Sequence, residues 1–143
     1  MFIGEYQHSV DDKSRVAVPG KFRAKLKGGA VITRGLDNCL VLYTKEEWAK
    51  MAEKLSSLPI SQQNARAFAR LMLAGAMDVE LDKQGRIILP TYLKEYAKIF
   101  KEVIIAGLFN RIEIWAHSAW KEYSSKAEKD SNNIAEQLGT LGI

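Results

Sequence analysis

Val10-Asp11-Asp12-Lys13-Ser14-Arg15-Val16-Ala17-Val18-Pro19 returns later in the chain as Leu81-Asp82-Lys83-Gln84-Gly85-Arg86-Ile87-Ile88-Leu89-Pro90. Each copy runs through an apolar residue, Asp, three small or polar residues, Arg, three apolar residues and Pro. The likeness continues downstream, where Val31 to Tyr43 lies against Val103 to Trp115 and Trp48 against Trp120. The offset is 71 residues from Asp11 to Asp82 and 72 from Gly35 to Gly107, so one residue is inserted between the two motifs. The chain is therefore a duplicated module, and units of this kind commonly bury their apolar faces against one another.

Around this motif the chain alternates short strands and helices. Glu5 to Val10 and Arg15 to Val18 are expected as strands, joined by a turn over Asp11 to Ser14, where Asp can accept hydrogen bonds from backbone N–H groups. Pro19 opens a helix, since its missing N–H would have no partner in the first turn. That helix places Phe22 and Leu26 on one face and ends at Gly28-Gly29. Ala30 to Thr33 and Cys39 to Tyr43 read as a hairpin. Thr44 with Glu47 offers a capping box for a helix carrying Trp48, Met51, Ala52 and Leu55 at helical spacing.

Ser61 to Ala74 is a second helical pattern, with Ala65, Phe68 and Met72 on one face. The plan then repeats. Met77 to Leu81 is a strand, Asp82 to Gly85 a turn and Arg86 to Leu89 a strand. Pro90 opens a helix with Leu93, Tyr96, Ala97 and Phe100 along one face. Val103 to Ile105 and Arg111 to Trp115 form a second hairpin, and a final helix is expected from about Ser118 to Leu138. The domain reading is a first repeat with its helix over 1–60, a connecting helix over 61–75 and a second repeat with the C-terminal helix over 76–143. Together these form one compact pseudo-symmetric α+β unit.

With 143 residues, 47% hydrophobic and 27% charged, the composition is that of a globular protein able to bury a core. Cys39 is the one cysteine and sits in an apolar run, which marks it as a small buried hydrophobe. No signal-like or membrane-spanning run is evident, so a cytoplasmic protein is expected. The net charge of +4 is unevenly placed. Met1 to Thr44 holds seven basic residues against four acidic ones, whereas Gly75 to Ala116 balances six against six. A basic first half suggests a polyanionic partner, although a surface charged only for solubility would look similar.

Chemistry finds little footing. His8 and His117 have no metal-like spacing to Cys39 or to each other. Gly28-Gly29 lacks the Lys-Ser/Thr that completes a phosphate loop. No catalytic residue, metal or cofactor is assigned, and no small-molecule substrate. The Asp/Arg motif carries two compatible readings. Asp11 and Asp82 cap their turns and pair with the following Arg, while Lys13 and Arg15 are held outward on a rigid strand pair. There Arg can grip two acceptors on guanine and Lys can meet phosphate.

These residues resemble the MraZ family of bacterial regulators, within the AbrB-like DNA-binding superfamily. The match rests on Met1-Phe2-Ile3-Gly4, Asp11 and Arg15, Pro19-Gly20-Lys21-Phe22-Arg23, Cys39-Leu40-Val41-Leu42-Tyr43, Glu47-Trp48, Leu81-Asp82-Lys83-Gln84-Gly85-Arg86 and Asn110-Arg111-Ile112-Glu113-Ile114-Trp115, in the family's order.

The resemblance implies two β-β-α-β-type repeats interlocked as an intramolecular double-split β-barrel, with flanking helices. It implies a ring-shaped homo-oligomer that binds short G-rich direct repeats in double-stranded promoter DNA and represses the division and cell-wall gene cluster. It places the protein in the cytoplasm, at the nucleoid. Its DNA-contacting Arg falls on Arg15, with Lys13 beside it, and Arg86 is the match in the second motif. The expected DNA-binding set is Lys13, Arg15, Lys21, Arg23, Lys83 and Arg86. Ser14 departs from the Gly more usual there and found at Gly85; a left-handed backbone would cost it about 1 kcal/mol relative to Gly. Another class of function stays open beside this one, an oligomeric scaffold whose basic first half binds an acidic protein.

Overall fold

A computed structural model describes all of residues 1–143. Its strands are β1 (Phe2–Ser9), β2 (Arg15–Ala17), β3 (Ala30–Arg34), β4 (Leu40–Thr44), β5 (Met77–Val79), β6 (Arg86–Ile88), β7 (Glu102–Phe109) and β8 (Ile112–Ala116). Its helices are α1 (Gly20–Arg23), α2 (Lys45–Ser56), α3 (Gln63–Ala69), α4 (Thr91–Tyr96), α5 (His117–Lys129) and α6 (Ser131–Gln137), with short tighter or wider turns between them. No helix is long and apolar enough to cross a membrane.

The expected hairpins form as β3–β4 and β7–β8, and they lie side by side through β4 and β8. Both faces of these strands are covered. Leu40 and Leu42 point into the main core, while Val41 and Tyr43 point the other way, into a smaller cluster with Cys39 and Trp115. Trp48, Met51 and Trp120 pack over that second cluster. Cys39 is buried, as its setting suggested, and burial pushes its thiol up to about 12.

The outer strands are exchanged between repeats. β1, from the first repeat, pairs antiparallel with β7 of the second, and β5, from the second, pairs with β3 of the first. The six-stranded sheet thus runs β1-β7-β8-β4-β3-β5. The β1–β7 contact is close enough to demand glycine. Gly4 stands opposite Gly107, and a Cβ on Gly107 would come within 2.6 Å of the Phe2 and Ile3 backbone.

The remaining strands, β2 and β6, make a separate two-stranded ribbon with Arg15 opposite Ile88, Val16 opposite Ile87 and Ala17 opposite Arg86. The rigid strand pair that carries Arg15 is therefore built across the two repeats. Within the first repeat, β1 forms no ladder with β2; the chain after β1 meets β2 at a single bridge, Val10–Val16, next to the turn. The core lies between ribbon and sheet. Val16, Val18, Ile87 and Leu89 descend from the ribbon, Ile32, Leu42, Ile105, Ile112 and Ile114 rise from the sheet, and Phe22, Leu26, Leu93 and Ala97 enter from α1 and α4. Phe22 meets Phe2 and Tyr6 edge-on, with ring centroids 5.2 and 5.5 Å away.

Several local expectations are modified. The Thr44 hydroxyl accepts the Glu47 N–H at 3.1 Å, but the reciprocal half of the box is not made, because the Glu47 carboxylate takes Lys50 instead. The second helical pattern begins as α3 and continues as a π-helical turn over Arg70–Ala74. There Thr33 and Arg34 donate sideways to the carbonyls of Met72 and Leu71. Phe100 is 89% exposed and does not share the core face of Leu93 and Ala97, since α4 stops at Tyr96 and Lys98 turns left-handed at φ 55°. The residue inserted in the second repeat falls in this connection. The last helix breaks at Asp130 into α5 and α6, and Ile134 and Leu138 stay 39% exposed.

Exchange of strands makes each repeat incomplete alone. Residues 1–71 expressed by themselves are expected to be unfolded or dimeric, a second copy replacing the missing half. Sedimentation with circular dichroism checks this, and a monomer with a cooperative melt would contradict it.

Candidate nucleic-acid interface

The two Asp/Arg turns are built alike. In the first, one Asp11 carboxylate oxygen accepts the backbone N–H groups of Lys13 and Arg15 at 2.9 and 2.8 Å, and the other accepts Arg15 Nε at 2.7 Å. In the second, Asp82 accepts the N–H groups of Gln84 and Arg86, both at 2.9 Å, and Arg86 Nε at 2.8 Å. The backbone donors, above all the N–H of Arg15 and of Arg86, hold the two carboxyls below the usual carboxylate range, and the arginine side chains add to this. Asp is suited to the position because its short side chain reaches its own backbone two and four residues on.

A left-handed residue closes each turn. Ser14 has φ 61° and Gly85 has φ 76°. Their carbonyls then stitch the repeats together, for Leu89 N–H donates to Ser14 at 2.8 Å and Val18 N–H donates to Gly85 at 2.9 Å. Pseudo-equivalent side chains also cover the turns, Lys94 donating to Ser14 Oγ at 2.6 Å and Arg23 lying over Gly85 while its Nε donates to the Val18 carbonyl at 2.8 Å. Lys94 was not singled out in the sequence; its place 71 residues after Arg23 was the available signal.

Alternation along the ribbon decides what faces out. Val16 and Ile87 are buried, so Arg15, Ala17, Arg86 and Ile88 share the opposite, outer face. Both arginines are about one quarter exposed, with side-chain accessibilities of 28% and 27%. Each is tethered through Nε, and neither terminal amino group hydrogen-bonds to its own Asp. Arg86 also reaches across, with Nη1 4.0 Å from Asp11. Lys13 and Lys83 are exposed on the turns at the two ends. Arg23 is half-buried beside the second turn, and Lys21 is exposed on α1, outside the ribbon. The structure thus brings Arg15, Arg86, Lys13 and Lys83 to one two-stranded platform, and it unites the two motifs that charge alone had separated.

A family model described as "MraZ protein, putative antitoxin-like" matches residues 1–71 and again residues 72–140. The chain belongs to the MraZ family. Over all 143 residues, and the full length of each relative, it is 48% identical to the "Transcriptional regulator MraZ" of Caldanaerobacter subterraneus subsp. tengcongensis. It is 50% identical over the same span to the proteins of that name from Halothermothrix orenii and Acetivibrio thermocellus. The boundary between the two MraZ matches falls inside the π-helical turn, so each half holds one Asp/Arg turn and gives one strand to the ribbon.

The geometry of the MraZ turns generates two predictions. Gly85→Ala, strained at φ 76° and pressed against Arg23, should lower stability by roughly 1–2 kcal/mol, whereas Ser14→Gly relieves a left-handed backbone but gives up the Lys94 hydrogen bond and should change stability by less than about 1 kcal/mol; denaturant midpoints measure both. Because the Asp11 and Asp82 carboxyls titrate low in the folded chain, their support is fully present above the unfolded pKa of about 4 and fades as pH falls through the lower folded values. Amide resonances of Lys13, Arg15, Gln84 and Arg86 should therefore stay fixed from neutral pH to about 5 and move only below about 4.

Proposed function

We propose that this MraZ-family chain is a DNA-binding regulator of transcription that works without catalysis or cofactor. The observation that carries the reading is the placement of Arg15 and Arg86 on one outer face of the β2–β6 ribbon, each oriented by its own Asp. A two-stranded ribbon fits the major groove of B-DNA, and an arginine with free terminal amino groups can bridge O6 and N7 of guanine. Lys13 and Lys83, at opposite ends, meet the flanking phosphates, and Lys21 and Arg23 extend the basic rim. The names carried by the full-length relatives support the same function.

In this reading the sheet and ribbon are parts of one double-split β-barrel, an assignment supported by the exchange of β1 and β5 and by the cross-repeat ladder. Copies assemble as a ring and engage successive direct repeats upstream of the division and cell-wall gene cluster, which the bound ring represses. Several modest surfaces on one ring multiply into tight binding, because the second contact forms at a high effective concentration. The protein works in the cytoplasm, on the nucleoid.

Arg15→Ala and Arg86→Ala should each weaken binding to a duplex of G-rich direct repeats by roughly 5- to 150-fold, the range of one bidentate base contact. Fluorescence anisotropy reads the affinity and circular dichroism confirms an unchanged fold. Wild-type affinity should fall steeply with salt as counterions are released. Undiminished binding by both variants would overturn the assignment, and an acidic protein that displaces DNA stoichiometrically would favour the scaffold alternative.

A further inference from the structure

The outer face of the ribbon is nearly two-fold symmetric, but its apolar positions are not. The pseudo-axis passes between Val16 and Ile87, relating Arg15 to Arg86 and Ala17 to Ile88. Arg15 is paired across the ladder with Ile88, and Arg86 with Ala17. Ile88 is 61% exposed while both strand neighbours, Ile87 and Leu89, are 1% exposed. A single exposed isoleucine is ordinary on a protein surface. This one is unusual in position, because it stands directly opposite an Asp-tethered arginine on a face with basic side chains at both ends.

We propose that Ile88 is a specificity-determining residue that seats against the C5-methyl group of a thymine, next to the base contacted by Arg15. This rests on the DNA-binding reading above. The thymine methyl is the apolar feature of the major-groove edge, and apolar side chains are its natural partner. The opposite corner of the face carries Ala17, whose single methyl extends less far from the strand. A ribbon with like groups at both corners would match a palindromic site and bind in either direction. Ile88 at one corner and Ala17 at the other give the ribbon a polarity, and the one-sided reach of Arg86 toward Asp11 reinforces it. A reader with polarity is what a site repeated head to tail requires.

The test uses the full-length protein and a duplex selected by it from random DNA. Replacing thymine with deoxyuridine, one position at a time, removes only the methyl group. For wild type, one substitution beside the arginine-contacted guanine should weaken binding about three- to four-fold, the factor expected for one methyl-sized group withdrawn from an apolar contact. Ile88→Ala should bind the thymine and deoxyuridine duplexes alike, and Ile88→Val should retain the discrimination. Ala17→Ile, which restores symmetry, should select a more palindromic sequence. Wild-type indifference to deoxyuridine at every thymine, a selected site without an invariant thymine, or discrimination retained in Ile88→Ala would each overturn the proposal while leaving DNA binding intact. Failure of the wild type to select any sequence would overturn the DNA-binding reading itself, and this inference with it.

Discussion

Two carboxylates carry the geometry on which the rest of the molecule depends. Each of Asp11 and Asp82 satisfies two backbone N–H groups and one arginine Nε at once. Partly exposed ion pairs add little net stability by themselves. Their effect here is geometric, because the same carboxylate that closes the turn also sets where the arginine can lie. The turn in turn places the carbonyls of Ser14 and Gly85 where the opposite repeat can donate to them. Turn closure, strand pairing and arginine orientation are thus consequences of one anchoring group, made twice.

Duplication has not kept the halves identical, and the differences are informative. At the left-handed position one turn has serine and the other glycine. The glycine lies under Arg23, where a Cβ would sit 2.3 Å from the guanidinium, while the serine offers a hydroxyl to Lys94. A small residue makes room for arginine, and a polar one receives lysine. Between the repeats, Arg34 lies near the rings of Tyr92 and Tyr96 and donates to the Leu71 carbonyl, tying the π-helical turn to α4. Tyr92 and Tyr96 complete this junction by donating to the carbonyls of Gly75 and Gly35.

Much of this was legible in the sequence, and the reason is locality. The turns, the two hairpins, the Thr44 cap and the ends of α2 depend on residues a few positions apart. The repeat supplied the candidate arginines, and the apolar runs marked the strands of the two hairpins. Pairing partners were not legible. β1 carries mostly exposed residues and shows no pattern that names β7, and nothing local shows that β2 joins β6 instead of returning along β1. For the same reason charge counted by segment assigned the basic surface to the first half, whereas the ribbon draws equally on both. Phe100 fits a helical spacing on paper, but the inserted residue and the left-handed Lys98 end the helix before reaching it.

The exchange of outer strands also sets an order of events at the ribosome. Phe2–Ser9 leaves the ribosome about a hundred residues ahead of its partner Glu102–Phe109. At ~5–20 residues per second, that is a wait of roughly 5–20 seconds. During this interval the strand has an unpaired edge, the kind of surface that invites association with other chains. Its own composition lowers the hazard, since Glu5, Gln7, His8 and Ser9 make the strand polar and Gly4 makes it pliant.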